Sequence, residues 1–265
     1  MDEHKISCHV KNIIVTYNEC VSCHTCMPRY ILKSLLQKYL HDEKSYPVNE
    51  GIIQFRTSEL AGNPCVRNVL LSRIKPIRIP ETLSNLFRMN RGTNTHEWLL
   101  QQFYYGEVRV FKKYEIDGIK AVLNGRIDGY DEEEREILDL KTTEFPPSLR
   151  KYGKAWKKHE EQVQIYENLS KEQGLLNVEK LRILYCNFGI VAPDDDGIVN
   201  IGEYFESYPV QINPNILKQK EIEIIEKVLL ALKIYKDTGK ISLPEKGKNI
   251  KCSGCVYRIV CDKKG

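Results

Sequence analysis

The sequence predicts an α/β domain with one central mixed sheet flanked by helices. Helical patterns stand before, within and after a set of apolar runs of period two, and three of those runs follow one another across tight turn signals. At 265 residues, 42% of them apolar, the chain is long enough for one globular domain with a sizeable core plus a small appendage.

Residues 1–50 read as a Cys-rich N-terminal appendage and residues 51–265 as the main domain. The appendage holds the apolar stretch HVKNIIVTY, the turn NECVSCHTCMP and a helical pattern from Pro28 to His41, and the stretch DEKSYPVNEG links it onward. Thr57 or Ser58 is expected to cap a helix carrying Leu60, Val66, Leu70 and Leu71, which Pro64 should kink or delay. A second helix is expected from about Glu81 to Phe103. The strands EVRVFKKYEI, KAVLNGRIDGYD and REILDLKTT, separated by Asp117-Gly118 and the acidic tip DEEE, predict an antiparallel meander. A polar helix from about Lys154 to Lys171, strands in KLRILYCNFGI and GEYFESYPV, and a helix opening at Asn213-Pro214 and carrying Leu217, Ile225, Val228, Leu229 and Leu232 complete the reading.

Composition excludes several functions. Lys and Arg total 40 against 36 Asp and Glu, a net charge of +4, so the chain is no uniformly basic histone-like binder and any nucleic-acid surface is local. No run approaches the roughly 18 apolar residues of a membrane span, and the start MDEHKISCHV lacks a signal peptide's apolar core; a cytoplasmic protein with no membrane partner is expected. No G-x-x-x-x-G-K-[ST] and no G-x-G-x-x-G after a strand supports nucleotide-driven or dinucleotide chemistry. In a reducing compartment the nine Cys are thiols or metal ligands rather than a disulfide framework.

GRIDGYD and REILDLK flank the acidic tip almost symmetrically. A hairpin centred between Glu133 and Glu134 sets Asp128 opposite Asp139 and Arg126 opposite Lys141. Strand alternation then projects Asp128, Asp139 and Lys141 from one face. Opposed carboxylates repel unless a cation lies between them, which marks a site for a hard divalent ion such as Mg2+ or Mn2+. A Lys beside them can orient or deprotonate a water and stabilise charge on a phosphate. A solvated surface hairpin would carry the same three charges. The neighbouring residues decide against it: G-x-x-x-H ending at His96, G-x-x-D-G-Y around Asp128, D-L-K at Asp139 to Lys141, and Q-x-x-x-Y at Gln162 and Tyr166.

This ordered set resembles the RecB-like branch of the PD-(D/E)XK nucleases. The resemblance implies a restriction-endonuclease-like core in which His96, Asp128, Asp139 and the carbonyl of Leu140 bind Mn2+ or Mg2+, Lys141 is the catalytic lysine, and Gln162 and Tyr166 support it and contact DNA. In that family a metal-activated water attacks a phosphodiester.

The remaining cysteines fall into two groups. Cys252, Cys255 and Cys261 form C-x2-C-x5-C, one thiolate short of a four-ligand site, and Cys65 is the natural fourth. Thiolates of this kind suit zinc and iron-sulfur clusters alike. A single early Cys followed by Arg and three late Cys resembles the RecB-like nucleases that carry a 4Fe-4S cluster, and that resemblance implies the cluster here. Over roughly residues 52–265 the combination is similar to the CRISPR-associated Cas-four exonucleases and, more distantly, to the cluster-bearing nuclease domains of AddB and of the eukaryotic replication helicase-nuclease. Cys20, Cys23 and Cys26, with Cys8 (or His9 or His24), offer a second metal site for Zn2+ or a second cluster. Cys186, inside an apolar strand, is expected to be core.

From Lys141 to Glu160 six Lys or Arg stand against two Glu, with Tyr152 and Trp156 interleaved. Arg150, Lys151, Lys154, Trp156 and Lys157 are therefore the expected DNA-binding residues, tracking phosphates and stacking on bases. The expected function is a metal-dependent DNA nuclease acting on single strands or DNA ends. The resemblance implies a role in CRISPR spacer acquisition beside the spacer integrase. A stand-alone or virus-encoded end-processing nuclease is the nearby alternative, and a non-catalytic Cys-metal DNA-binding module the alternative of another class.

Overall fold

The computed structural model describes residues 5–8, 13–16, 19, 48–49, 51–76, 92–94, 97, 105–143, 151–187, 205–245, 252 and 255–262. The chain divides into two compact units, residues 1–46 with 76–95 and residues 47–75 with 96–265. In the first, β1 (Lys5–Cys8) and β2 (Ile13–Thr16) form an antiparallel hairpin.

The second unit is built on a seven-stranded sheet. Val48–Asn49 (β3) pairs with Ile52–Arg56 (β4), and the long strands Tyr105–Ile116 (β5) and Ile119–Asp131 (β6) are followed by Glu136–Thr143 (β7), Lys180–Asn187 (β8) and Phe205–Val210 (β9). The β5–β6 turn is the predicted Asp-Gly pair, with positive φ at Asp117 (49°) and Gly118 (75°), the twist a two-residue hairpin needs. The meander β5–β6–β7 is antiparallel as expected. Sequence reading missed β4, whose five residues alternate too briefly to stand out. Its pairing with β6 is parallel, as is that of β7 with β8, and these two junctions make the sheet mixed.

Two short helices follow β4. Thr57–Leu60 (α1) is capped at Arg56, not at Thr57 or Ser58: the Arg56 N–H donates to Glu59 Oε2 at 2.9 Å, while Thr57 turns into the core at 2% exposure. The chain breaks before Pro64, as its missing N–H requires, and Val66–Ile74 (α2) restarts from Cys65. Arg73 on α2 is buried against Glu59 (2.7 Å) and the Gln54 carbonyl (2.8 Å), locking both helices to β4.

Lys157–Gln173 (α3) begins three residues later than expected and crosses the sheet, burying Val163, Ile165, Tyr166 and Leu169. Each fully buried chain of this size contributes roughly 1.5–3 kcal/mol. Gly174, at φ 63°, ends the helix in the left-handed cap that glycine adopts without strain. The last predicted helix is interrupted: Ile216–Lys220 (α4) passes through a π turn at Glu221–Ile225 into Glu226–Thr238 (α5). At the junction the buried Lys220 ammonium reaches the Gly62 carbonyl (2.7 Å) and Glu161 (2.8 Å), and the Gly62 N–H bonds the same carboxylate (2.7 Å). Arg258–Asp262 (α6) closes the described chain. No described helix is long and apolar enough to cross a membrane.

Candidate active site

The site grows from a fork in the sheet. On one edge β6 pairs with β5 over Ile119–Ile127 and at Gly129 and Tyr130. On the other it pairs with β4 only over Ala121–Asn124 and with β7 only over Gly129–Asp131. Between these ladders, residues 125–128 open toward the gap where β4 and β7 part.

The β6–β7 pairs are Gly129 with Leu138, Tyr130 with Ile137 and Asp131 with Glu136, the register read from the hairpin's symmetry. One step further it sets Asp128 against Asp139, but the ladder has ended. Asp128 Oδ2 instead accepts the Leu140 N–H at 2.8 Å, so the carboxylate replaces the missing backbone acceptor. Strict alternation also fails here, because Ile127 to Tyr130 are buried consecutively. Arg126, expected opposite Lys141, pairs across β5 with Arg109 and binds the exposed Glu107 at 3.0 Å.

Asp139 is wholly buried, and its carboxylate oxygens lie 2.9 and 2.7 Å from Lys141 Nζ. Burial disfavours the Lys141 ammonium, yet Asp139 and then Asp128 outweigh that cost and hold the amine above its ordinary lysine range. Lys141 is thus a charged donor in the site.

Gln162 Nε2 donates to the Tyr166 hydroxyl at 2.6 Å, both side chains buried. Burial, followed by Asp139, pushes the Tyr166 phenol up, while Lys141 and hydrogen bonds with Thr57 and Gln162 pull it down. The helix pair and the hairpin therefore meet at one place. Gly125 makes this meeting possible: a Cβ there would stand 2.9 Å from atoms of Thr57, Tyr166 and Val110, inside van der Waals contact.

Sequence reading missed three participants. Tyr185 is beside Lys141 in the parallel β7–β8 register. His159 Nδ1 lies 2.8 Å from the Tyr185 hydroxyl, and burial first, then Lys141 and Lys158, depress the imidazole to about 3. The third is Thr57. His159 had a usable signal, since 159, 162 and 166 share one helical face; Tyr185 and Thr57 come from elements whose placement no local pattern states.

Among the described residues, no three or more His, Cys, Asp or Glu are grouped to hold a metal ion. The two carboxylates at the fork are nonetheless hard oxygen donors at low exposure with one cation beside them, a donor set that fits a small divalent ion. His96 and Arg150 lie outside the described residues, as do Cys20, Cys23, Cys26 and the side chain of Cys8. Lys151, Lys154 and Lys157 are exposed, as is Trp156.

Cys65, Cys252, Cys255 and Cys261 are free thiols. Burial raises the Cys261 thiol; Arg67 lowers it, and Cys65, Cys255 and Cys252 raise it again, so these three lie within electrostatic reach of Cys261 without being grouped as metal ligands. The Tyr257 hydroxyl donates to the Lys75 carbonyl at 3.0 Å and Arg67 Nε to the Pro244 carbonyl at 2.7 Å, docking the late segment on α2. Cys186 is core at 3% exposure, its thiol pushed up to about 12 by burial.

Residues 65–262 match the model of the PD-(D/E)XK nuclease superfamily, and the chain belongs to that superfamily. Its members are metal-dependent nucleases that act on DNA and use divalent ions such as Mg2+ or Mn2+. The chain is similar to a crystal structure titled SSO0001, at 18% identity and a TM-score of 0.52, covering 87% of this chain and 96% of the other, a likeness of fold. It also matches the crystal structure of a phage-related exonuclease from Haemophilus somnus 129PT at 14% identity and a TM-score of 0.41, covering 70% and 97%. No curated protein matches the chain.

Proposed function

We propose that this chain hydrolyses phosphodiester bonds in single-stranded DNA or at DNA ends, with Asp128, Asp139 and the Leu140 carbonyl, joined by His96, as ligands for Mn2+ or Mg2+. The observation that carries this reading is the fork itself: two buried acidic side chains and a charged lysine where the sheet opens. A bound divalent ion supplies Lewis acidity and lowers the cost of generating hydroxide from water. Lys141, kept charged, donates to a phosphate oxygen or to the attacking water and offsets charge developing in the transition state. Tyr166, held by Gln162 and Thr57, lies within electrostatic reach of the lysine. Lys151, Lys154 and Lys157, with Arg150, hold phosphates irrespective of sequence, and Trp156 adds an aromatic surface.

The resemblance to cluster-bearing RecB-like nucleases, with Cys65, Cys252 and Cys255 within electrostatic reach of Cys261, supports a 4Fe-4S cluster tying α2 to the late segment, and the N-terminal cysteines a second site for Zn2+ or a cluster. Resemblance to the Cas-four exonucleases extends the reading to spacer acquisition beside the spacer integrase. Three measurements on the full chain test this: cleavage of labelled single strands and duplexes with Mn2+, Mg2+ or chelator; iron, sulfide and zinc content after anaerobic purification; and co-purification with the integrase. Metal-independent cleavage, or stoichiometric zinc without iron, would overturn the corresponding part.

A further inference from the structure

Tyr185, beside Lys141, is the centre of a ring cluster whose outermost member is open to solvent. Its ring centroid lies 5.6 Å from His159, 5.9 Å from Trp156 and 6.0 Å from Tyr208. Trp156 and His159 stand 5.3 Å apart. Tyr185 and Tyr208 are buried and His159 half-buried, whereas Trp156 is 45% exposed.

The tryptophan's backbone is nevertheless fixed. Its backbone N–H donates to the Tyr185 hydroxyl at 3.1 Å, and its backbone carbonyl accepts the His159 and Glu160 N–H groups at 2.8 and 3.1 Å, the opening bonds of α3. Burial pushes Tyr185 up to about 12 and holds His159 at about 3, so both rings are neutral near pH 7. The phenol can then accept from Trp156 while donating its proton to His159 Nδ1, which satisfies every polar atom of the shared contact. The result is an uncharged aromatic wall, anchored through the Trp156 backbone, with one open ring. Lys151, Lys154, Lys157 and Lys158, all exposed, flank it on the same stretch of chain.

An exposed indole amid ammonium groups is poorly used in water and well used against a flat apolar face attached to phosphates, which describes a nucleobase. In continuous duplex both faces of each base are already stacked, so only an unpaired or frayed base offers one. Resting on the nuclease reading above, we propose that Trp156, backed by His159 and Tyr185, is the stacking shelf for an unpaired nucleobase adjoining the phosphate at Lys141. The shelf makes unpaired strands the preferred substrate of the fork.

The test compares the full-length protein with Trp156→Ala and Trp156→Phe, in chelator so that binding is read without cleavage. Affinities are measured for an oligothymidylate and for an abasic strand of the same length, which keeps the phosphates and removes the bases. Trp156→Ala should weaken thymidylate binding by roughly 5- to 150-fold and leave abasic binding unchanged, with Trp156→Phe retaining most of the preference. With Mn2+ restored, Trp156→Ala should also lose preference for single strands over blunt duplex. Equal weakening of both oligonucleotides, or an unchanged ratio, would overturn the shelf. If the wild type bound in this base-dependent way yet cut nothing with Mn2+, the shelf would stand and the nuclease reading would fall.

Discussion

The carboxylate fork and the cysteine corner lie in one compact unit, but they are held by different means. At the fork, adjacent antiparallel strands set the register and the Leu140 N–H fixes Asp128 through a bond spanning twelve residues. At the corner, α2 meets a segment 182 residues away through Tyr257 and the Lys75 carbonyl, and the four thiols are only partly covered. The fork's side chains are organised by protein contacts, whereas at the corner such contacts bring Cys65, Cys252 and Cys255 only within electrostatic reach of Cys261. A metal held there, as proposed above, would couple its affinity to folding.

The largest expected effect is at the fork. Asp139→Asn or Lys141→Ala should lower metal-dependent cleavage by about 10²- to 10³-fold. DNA affinity should remain near wild type, because exposed lysines supply it; undiminished turnover by either purified variant would remove the fork from the mechanism.

At the corner the effect should fall on composition and stability. Cys65→Ser should reduce bound iron and the melting temperature together, while the β5–β6–β7 meander keeps its register. Unchanged metal content in this variant would exclude Cys65 as a ligand.

Gly125→Ala probes the fork's packing rather than its chemistry. The added methyl meets three side chains at 2.9 Å, so a loss of about 1–3 kcal/mol is expected, with a fall in cleavage as Tyr166 is displaced. A variant as stable and active as wild type would show that the gap can widen freely.

The smallest effect is a pH dependence. His159 is depressed from its ordinary 6.5 to about 3 by burial and neighbouring lysines, so folding favours its neutral form. That contribution is present above pH 6.5 and lost as pH falls toward 3. Carboxylates titrate in the same range, and the measurement is accordingly the difference between wild type and His159→Gln: the variant should show a shallower fall in melting temperature over this window.

Much of the fork was legible in the chain. The symmetry of GRIDGYD and REILDLK about an acidic tip sets the hairpin register, because in an antiparallel pair one turn determines every later partner. Gln162 and Tyr166 were readable by their spacing on one helical turn, and Asp117-Gly118 by the left-handed backbone it supports. The limits were equally local. Asp128 was expected simply to face Asp139; its bond to the Leu140 N–H forms because the β6–β7 ladder ends at Gly129, while the parallel strand β4 takes the same edge of β6 only at Ala121–Asn124. The helix is capped at Arg56 rather than Thr57, whose side chain is buried on a hydrogen bond with Tyr166. The placement of Tyr185 beside Lys141, and of His159 and Trp156 on Tyr185, arises from a parallel crossover through α3. Periodicity and turn chemistry act over a few residues and fix which elements form and how neighbours pair. Which distant elements share an edge or a face is settled by packing, where contacts between far-separated residues compete for the same space.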